Sequence, residues 1–124
     1  MRKNILHIDD DEDDLEIFSA AIEGIDARMN CVSLNSATEA FRRILSNELS
    51  PEIIFIDLNM PIMNGFEFLT EIKKVVGFNI PIIVLSTSSH KETISKVTKL
   101  GAQGYVAKPN SMREFVRVLT PFLI

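Results

Sequence analysis

The sequence predicts an α/β domain: a doubly wound, five-stranded parallel sheet with helices on both faces. Three observations carry this. Residues 5–8, 53–56 and 82–85 form apolar runs interrupted only by His7, as expected of strands covered on both sides. Segments of helical period lie between these runs, and alternation of strand and helix implies right-handed crossovers and a parallel sheet. Finally, Asp9, Asp57, Ser86 and Lys108 stand where predicted strands stop, and in an open parallel sheet those ends share the edge at which ligands bind.

The elements follow in order. After the first strand come six acidic residues, 9–14, and then Leu15, Phe18, Ile22 and Ile25, spaced by three and four. That spacing puts them on one face of a helix. A second strand is predicted over residues 29–34, followed by a helix carrying Ala37, Ala40, Phe41, Ile44 and Leu45. The third strand ends on Asp57, and Phe66, Leu69, Ile72 and Val76 mark the helix after it. The fourth strand ends on Ser86-Thr87, with Ile94, Val97 and Leu100 in the next helix. A short strand, 104–107, runs into Lys108-Pro109, and Phe115, Val118, Leu119 and Phe122 make a fifth helix. Ser36 with Glu39, Ser89 with Glu92 and Ser111 with Glu114 have capping-box spacing, and Asn64 with Glu67 is a weaker relative.

At 124 residues the chain is expected to be one domain, 1–124, with no output domain after its last helix. A net charge of -4, with the acidity gathered in one run, argues against nucleic-acid binding. Cys31 is alone, so no disulfide framework exists. Apolar runs far shorter than the ~20 residues needed to cross a bilayer point to a soluble, cytoplasmic protein.

Asp is a poor strand former and is costly to bury unpaired, so carboxylates at strand ends indicate a site. Asp9, Asp10 and Asp57 would crowd together, and two like charges ~4 Å apart repel by ~4 kcal/mol at an effective dielectric near 20. A hard divalent cation relieves this, and Mg2+ suits a set of one or two carboxylates, waters and a phosphate oxygen. Lys108 would bring a mobile positive charge to a phosphoryl group, and Ser86 a hydroxyl donor. Residues 11–14 read more simply as acidic charge at the positive end of a helix dipole. His7 reads as a structural histidine satisfied in or beside the core, and Met60 and Met63 as fillers of core gaps.

These residues carry a resemblance. Ile8-Asp9-Asp10-Asp11, the segment 56–65 around Asp57 (IDLNMPIMNG) and the segment 101–109 (GAQGYVAKP) together resemble the motifs of response-regulator receiver domains of two-component signalling, of the chemotaxis type with no output domain. The resemblance spans essentially the whole chain. It implies a flavodoxin-like strand order 2-1-3-4-5 and an aspartyl phosphate formed on Asp57 from the phosphohistidine of a histidine kinase or phosphotransfer protein. It further implies Mg2+ held by Asp10, Asp9, Asp57 and the backbone carbonyl of Asn59, with Ser86 and Lys108 on the phosphoryl group. Matching the interval to Lys108 selects Ser86 over Thr87, because periodicity leaves the two open in a strand buried on both faces. Tyr105 matches the aromatic that follows the hydroxyl residue on activation, although alone it reads equally as an edge-strand aromatic. The Lys108-Pro109 bond is expected to be cis, and Thr87, where the family most often has a small residue, to narrow access to Asp57.

The implied effector face is the fourth helix, fifth strand and fifth helix, with His90, Lys91, Lys99, Gln103, Tyr105, Arg113 and Arg117 as candidate exposed residues. A basic patch there suits an acidic downstream protein or a homodimer. On this reading the chain is not an enzyme beyond promoting its own phosphorylation and dephosphorylation. The alternatives are a Mg2+-dependent phosphatase with an aspartyl nucleophile, whose usual second Asp would fall at Asn59, and a pseudo-receiver that binds partners unphosphorylated.

Overall fold

The computed structural model describes residues 4–124. Five strands and five helices alternate: β1 (Asn4–Ile8), α1 (Glu12–Ile25), β2 (Asn30–Leu34), α2 (Ala37–Leu45), β3 (Ile53–Asp57), α3 (Gly65–Ile72), β4 (Ile82–Ser86), α4 (Lys91–Lys99), β5 (Gly104–Ala107) and α5 (Met112–Leu123). The strands are parallel in the order β2-β1-β3-β4-β5. This is the expected flavodoxin-like arrangement.

Because successive strand residues face opposite sides, each central strand feeds two cores. Leu6, Ile8, Ile54, Ile56, Ile82 and Val84 pack with Ala40 of α2, Phe68 and Leu69 of α3 and Val97 of α4. On the other face Ile5, Ile53, Phe55, Ile83 and Leu85 meet Phe18 and Ile22 of α1 and Phe115 and Leu119 of α5. Three helices therefore cover one face and two the other. β3 and β4 are buried along their whole length, which accounts for their continuous apolar runs. Asp57 and Ser86 lie at the ends of these strands, so burial reaches right up to the polar edge.

Several details depart from expectation. Among the described residues the reciprocal capping box is at α3, where Asn64 accepts from Glu67 N–H and the Glu67 carboxylate accepts from Asn64 N–H. At Ser36 and Ser111 the hydroxyl accepts from the Glu N–H, but the Glu side chains are drawn to Arg42, Arg43 and Arg117. Ser89 caps nothing: the chain runs one residue further, His90 is the N-cap of α4, and it makes no side-chain capping bond. The helix predicted to reach Val76 stops at Ile72, and Val76 is fully exposed ahead of Gly77, whose φ is +79°. The Lys108–Pro109 bond is trans, as are all described peptide bonds. Trans is the isomer that an X–Pro bond favours by about 0.5–1 kcal/mol.

Candidate functional site

The carboxyl ends of β1, β3, β4 and β5 deliver Asp9, Asp57, Ser86 and Lys108 to one edge of the sheet. Carboxylate oxygens of Asp9, Asp10 and Asp57 all lie within 4.8 Å of one another. Asp9 is fully buried and Asp57 nearly so, whereas Asp10 is exposed. The first two are thus fixed by the fold and the third is open to solvent.

Local bonding explains how the charges are held. Asp9 Oδ1 accepts from Asp11 N–H at 3.0 Å, which turns the chain into α1. Asp11 then caps the helix by accepting from Asp13 and Asp14 N–H. Backbone N–H groups of Leu58 and Asn59 support the Asp57 carboxylate. The loop after Asp57 closes onto itself through Gly65 N–H and the Leu58 carbonyl at 3.0 Å. A Cβ at Gly65 would lie 2.7 Å from the Asp57 carbonyl oxygen and 2.8 Å from Leu58 Cα, so only glycine admits this approach.

Lys108 reaches back across the edge. Its Nζ donates to Asp9 Oδ2 and to Asp14 Oδ2, each at 2.8 Å, and stands 3.7 Å from Asp57 Oδ2. The lysine therefore lies among the carboxylates as expected, but its second close partner is Asp14 rather than Asp57. Asp14 belongs to the acidic stretch read as helix-dipole charge; α1 turns it towards Lys108, a contact between residues 94 positions apart that no local pattern signals.

Burial pushes the Asp57 carboxyl up to about 6, with Lys108 opposing the shift and the Asp9 charge adding to it. Burial likewise raises Asp9 against the pull of Lys108. For Lys108, burial works against the charged form, but hydrogen bonds from Asp14 and Asp9 overcome it and hold the ammonium well above its ordinary range. His7 differs from expectation in one respect. It is buried and stacked on Phe18 at 3.9 Å between ring centroids, but neither ring nitrogen has a hydrogen-bond partner. Burial, reinforced by the Lys108 charge, lowers it to about 3, so it is neutral.

At β4, Ser86 is fully buried at the site edge and Thr87 is exposed beyond it. Ser86 Oγ accepts from Ser88 N–H at 3.2 Å, and Tyr105 Oη donates to the Ser88 carbonyl. The predicted pair is thus joined through Ser88. Asn59 is exposed beside Asp57. On the α4–β5–α5 side, His90, Lys91, Lys99 and Arg113 are exposed. Gln103 and Arg117 are exposed as well, although each has a partner within the fold, Arg117 pairing with Glu114 at 2.7 Å and the Gln103 side-chain carbonyl accepting from Ile82 N–H at 2.9 Å, whereas Tyr105 is half-buried.

The donor set fits a divalent metal of the hard, oxygen-seeking kind, because clustered carboxylates with one solvent-facing member leave room for waters. Residues 5–120 match the family model of the response regulator receiver domain. The chain belongs to this family. A protein-glutamate methylesterase/protein-glutamine glutaminase of Methanococcoides burtonii is 31% identical over 95% of the chain, which covers 29% of that relative's length. The phosphorylated cyanobacterial phytochrome response regulator RcpA superposes with a TM-score of 0.85 at 26% identity, covering 98% of this chain and 91% of that one. The Mn2+-bound response regulator Rcp1 superposes with a TM-score of 0.87 at 23% identity, covering 98% and 94%, a likeness of fold. In this receiver domain no helix among the described residues is long and apolar enough to cross a membrane.

Proposed function

We propose that this receiver domain is a phosphorylation-controlled switch whose acceptor is Asp57. The observation that carries the reading is the meeting, on one sheet edge, of the nearly buried Asp57 with Asp9, Asp10 and the Lys108 ammonium. An Asp57 oxygen attacks the phosphorus of a phosphohistidine, the P–N bond breaks, and the imidazole leaves and takes a proton from solvent. With its pKa near 6, Asp57 is mostly ionised at neutral pH and ready to attack. Asp10, Asp9, Asp57 and the Asn59 backbone carbonyl would hold Mg2+, which neutralises charge between the carboxylates and the phosphoryl oxygens when bound. Mn2+ in the similar fold of Rcp1 supports such a site. Lys108 pairs with a phosphoryl oxygen and Ser86 donates to another.

Ser86 would also connect the phosphoryl site to the surface. Once Ser86 turns to the phosphoryl group, its bond to Ser88 is lost and the hold of Ser88 on Tyr105 loosens. The readout is the face formed by α4, β5 and α5. That face carries a hollow lined by Tyr105, Lys108, Pro109, Asn110, Glu114 and Arg117 and, separately, the exposed basic side chains Lys91, Lys99 and Arg113. This suits an acidic effector or a second copy of the chain in the cytoplasm, with a histidine kinase or phosphotransfer protein as donor. A phosphatase reading is disfavoured, because the place of its general acid is held by the uncharged Asn59.

The test is labelling with acetyl phosphate and Mg2+. One phosphoryl group per chain is expected on the wild type and none on Asp57→Asn; undiminished labelling of the variant would remove Asp57 as acceptor.

A further inference from the structure

Lys108 is shared unequally. Its ammonium has three donors, and Asp9 and Asp14 each take one at 2.8 Å, while Asp57 Oδ2 lies at 3.7 Å, beyond a hydrogen bond. Asp14 is not needed to close α1, since Asp11 already caps that helix. Its carboxylate is partly exposed, whereas Asp9 is fully buried. If the ammonium moves, Asp14 regains water, but Asp9 has no water to regain. Asp14 is therefore the partner that can be given up.

We infer that Asp14 is a positioning residue that holds the Lys108 ammonium off Asp57 and competes with the phosphoryl group for it. The inference rests on the receiver reading above. A phosphoryl group on Asp57 needs charge-assisted bonds of about 2.7–2.9 Å from the ammonium. Such bonds draw on the same ammonium that Asp14 now holds at 2.8 Å. Asp14 thereby weakens the phosphorylated state and shortens its lifetime.

The experiment is calorimetric titration with beryllofluoride, a phosphoryl mimic, in the presence of Mg2+. Asp14→Asn is expected to bind it about three- to tenfold more tightly than wild type, and Asp14→Glu, which keeps the charge, about as wild type. In a Lys108→Met background the same Asp14→Asn change should have no effect, because its route runs through the lysine. Unchanged or weaker binding by Asp14→Asn would overturn the inference. So would equal tightening with and without Lys108, which would mean a general charge effect. The lifetime of the acyl phosphate formed from acetyl phosphate should lengthen in parallel, and an unchanged lifetime would count against competition. A wild type that binds no beryllofluoride would sink the receiver reading, and the inference with it, whereas a wild type that binds and a variant that binds equally would sink the inference alone.

Discussion

The two ends of the site edge are built differently. At the β1–α1 junction two of the three carboxylates are tied: Asp9 accepts from Asp11 N–H and from Lys108, and Asp11 caps α1 through two N–H groups. At the β4–α4 junction Ser86 accepts one bond from Ser88 N–H, Ser88 holds Tyr105 through its carbonyl, and α4 starts at His90 with no side-chain cap. The first junction is rigid charge in a fixed position. The second is a short hydrogen-bond chain that rotation of the Ser86 hydroxyl can break. On the proposed function this asymmetry has a purpose, because a cation site must keep its shape while a reporter must change it.

The largest effect should come from the fixed side, at the turn that seats Asp57. Gly65→Ala places a methyl within 2.8 Å of backbone on both sides of the Asp57–Leu58 peptide, and overpacking against backbone that cannot move aside costs about 3 kcal/mol. Chemical denaturation should show that loss, with slower acetyl phosphate labelling because Asp57 itself is displaced. A variant of unchanged stability would mean that the β3–α3 turn is as yielding as the β4–α4 loop, and the comparison would fail there.

Next comes the electrostatic cost of keeping the fixed side charged. The Asp57 pKa rises from an ordinary 3.8 to about 6 in the folded protein, so between those values the folded state binds more protons than the unfolded state. The contribution of Asp57 to stability is then fully present below about pH 4 and is lost as pH rises through about 6. In metal-free buffer Asp57→Asn should lack this fall. It should exceed wild type by about 3 kcal/mol at pH 7 and match it near pH 4, as read from denaturation midpoints across pH. A constant gap at every pH would show that Asp57 is not strained by burial and Asp9.

Most of the sheet and site could be read in advance, for a physical reason. Strands buried on both faces must be apolar throughout, so a charge or hydroxyl at their ends is conspicuous; Asp9 and Asp57 stand out that way, Lys108 follows the short fifth strand, and Ser86 was separated from Thr87 only by the family resemblance. Asp14 could not be. An acidic residue in the first turn already has a sufficient local explanation, and its pairing with Lys108, 94 positions away, is made only in the folded chain. The capping boxes misled for a related reason: Glu39 and Glu114 had arginines within one turn that competed for their carboxylates. The unsatisfied ring of His7 is likewise a matter of which neighbours arrive, and Phe18 arrived without a polar group.

The smallest effect bears most directly on the contrast between the junctions. Asp11 accepts from Asp13 N–H at 2.9 Å and Asp14 N–H at 3.2 Å, so Asp11→Ala should cost about 1 kcal/mol, the usual worth of a lost N-cap. His90 caps nothing, so His90→Ala should change stability by a few tenths of a kcal/mol at most. His90→Asp should do the opposite of Asp11→Ala. A carboxylate there can accept from the open N–H groups of α4 and meets the positive end of its dipole, for a gain of about 0.5–1 kcal/mol. Parallel urea titrations of the three variants read all of this on one scale. If His90→Asp gives no gain while Asp11→Ala costs its full amount, the α4 start is already satisfied in solution, and the β4–α4 junction is as tightly tied as its counterpart across the edge.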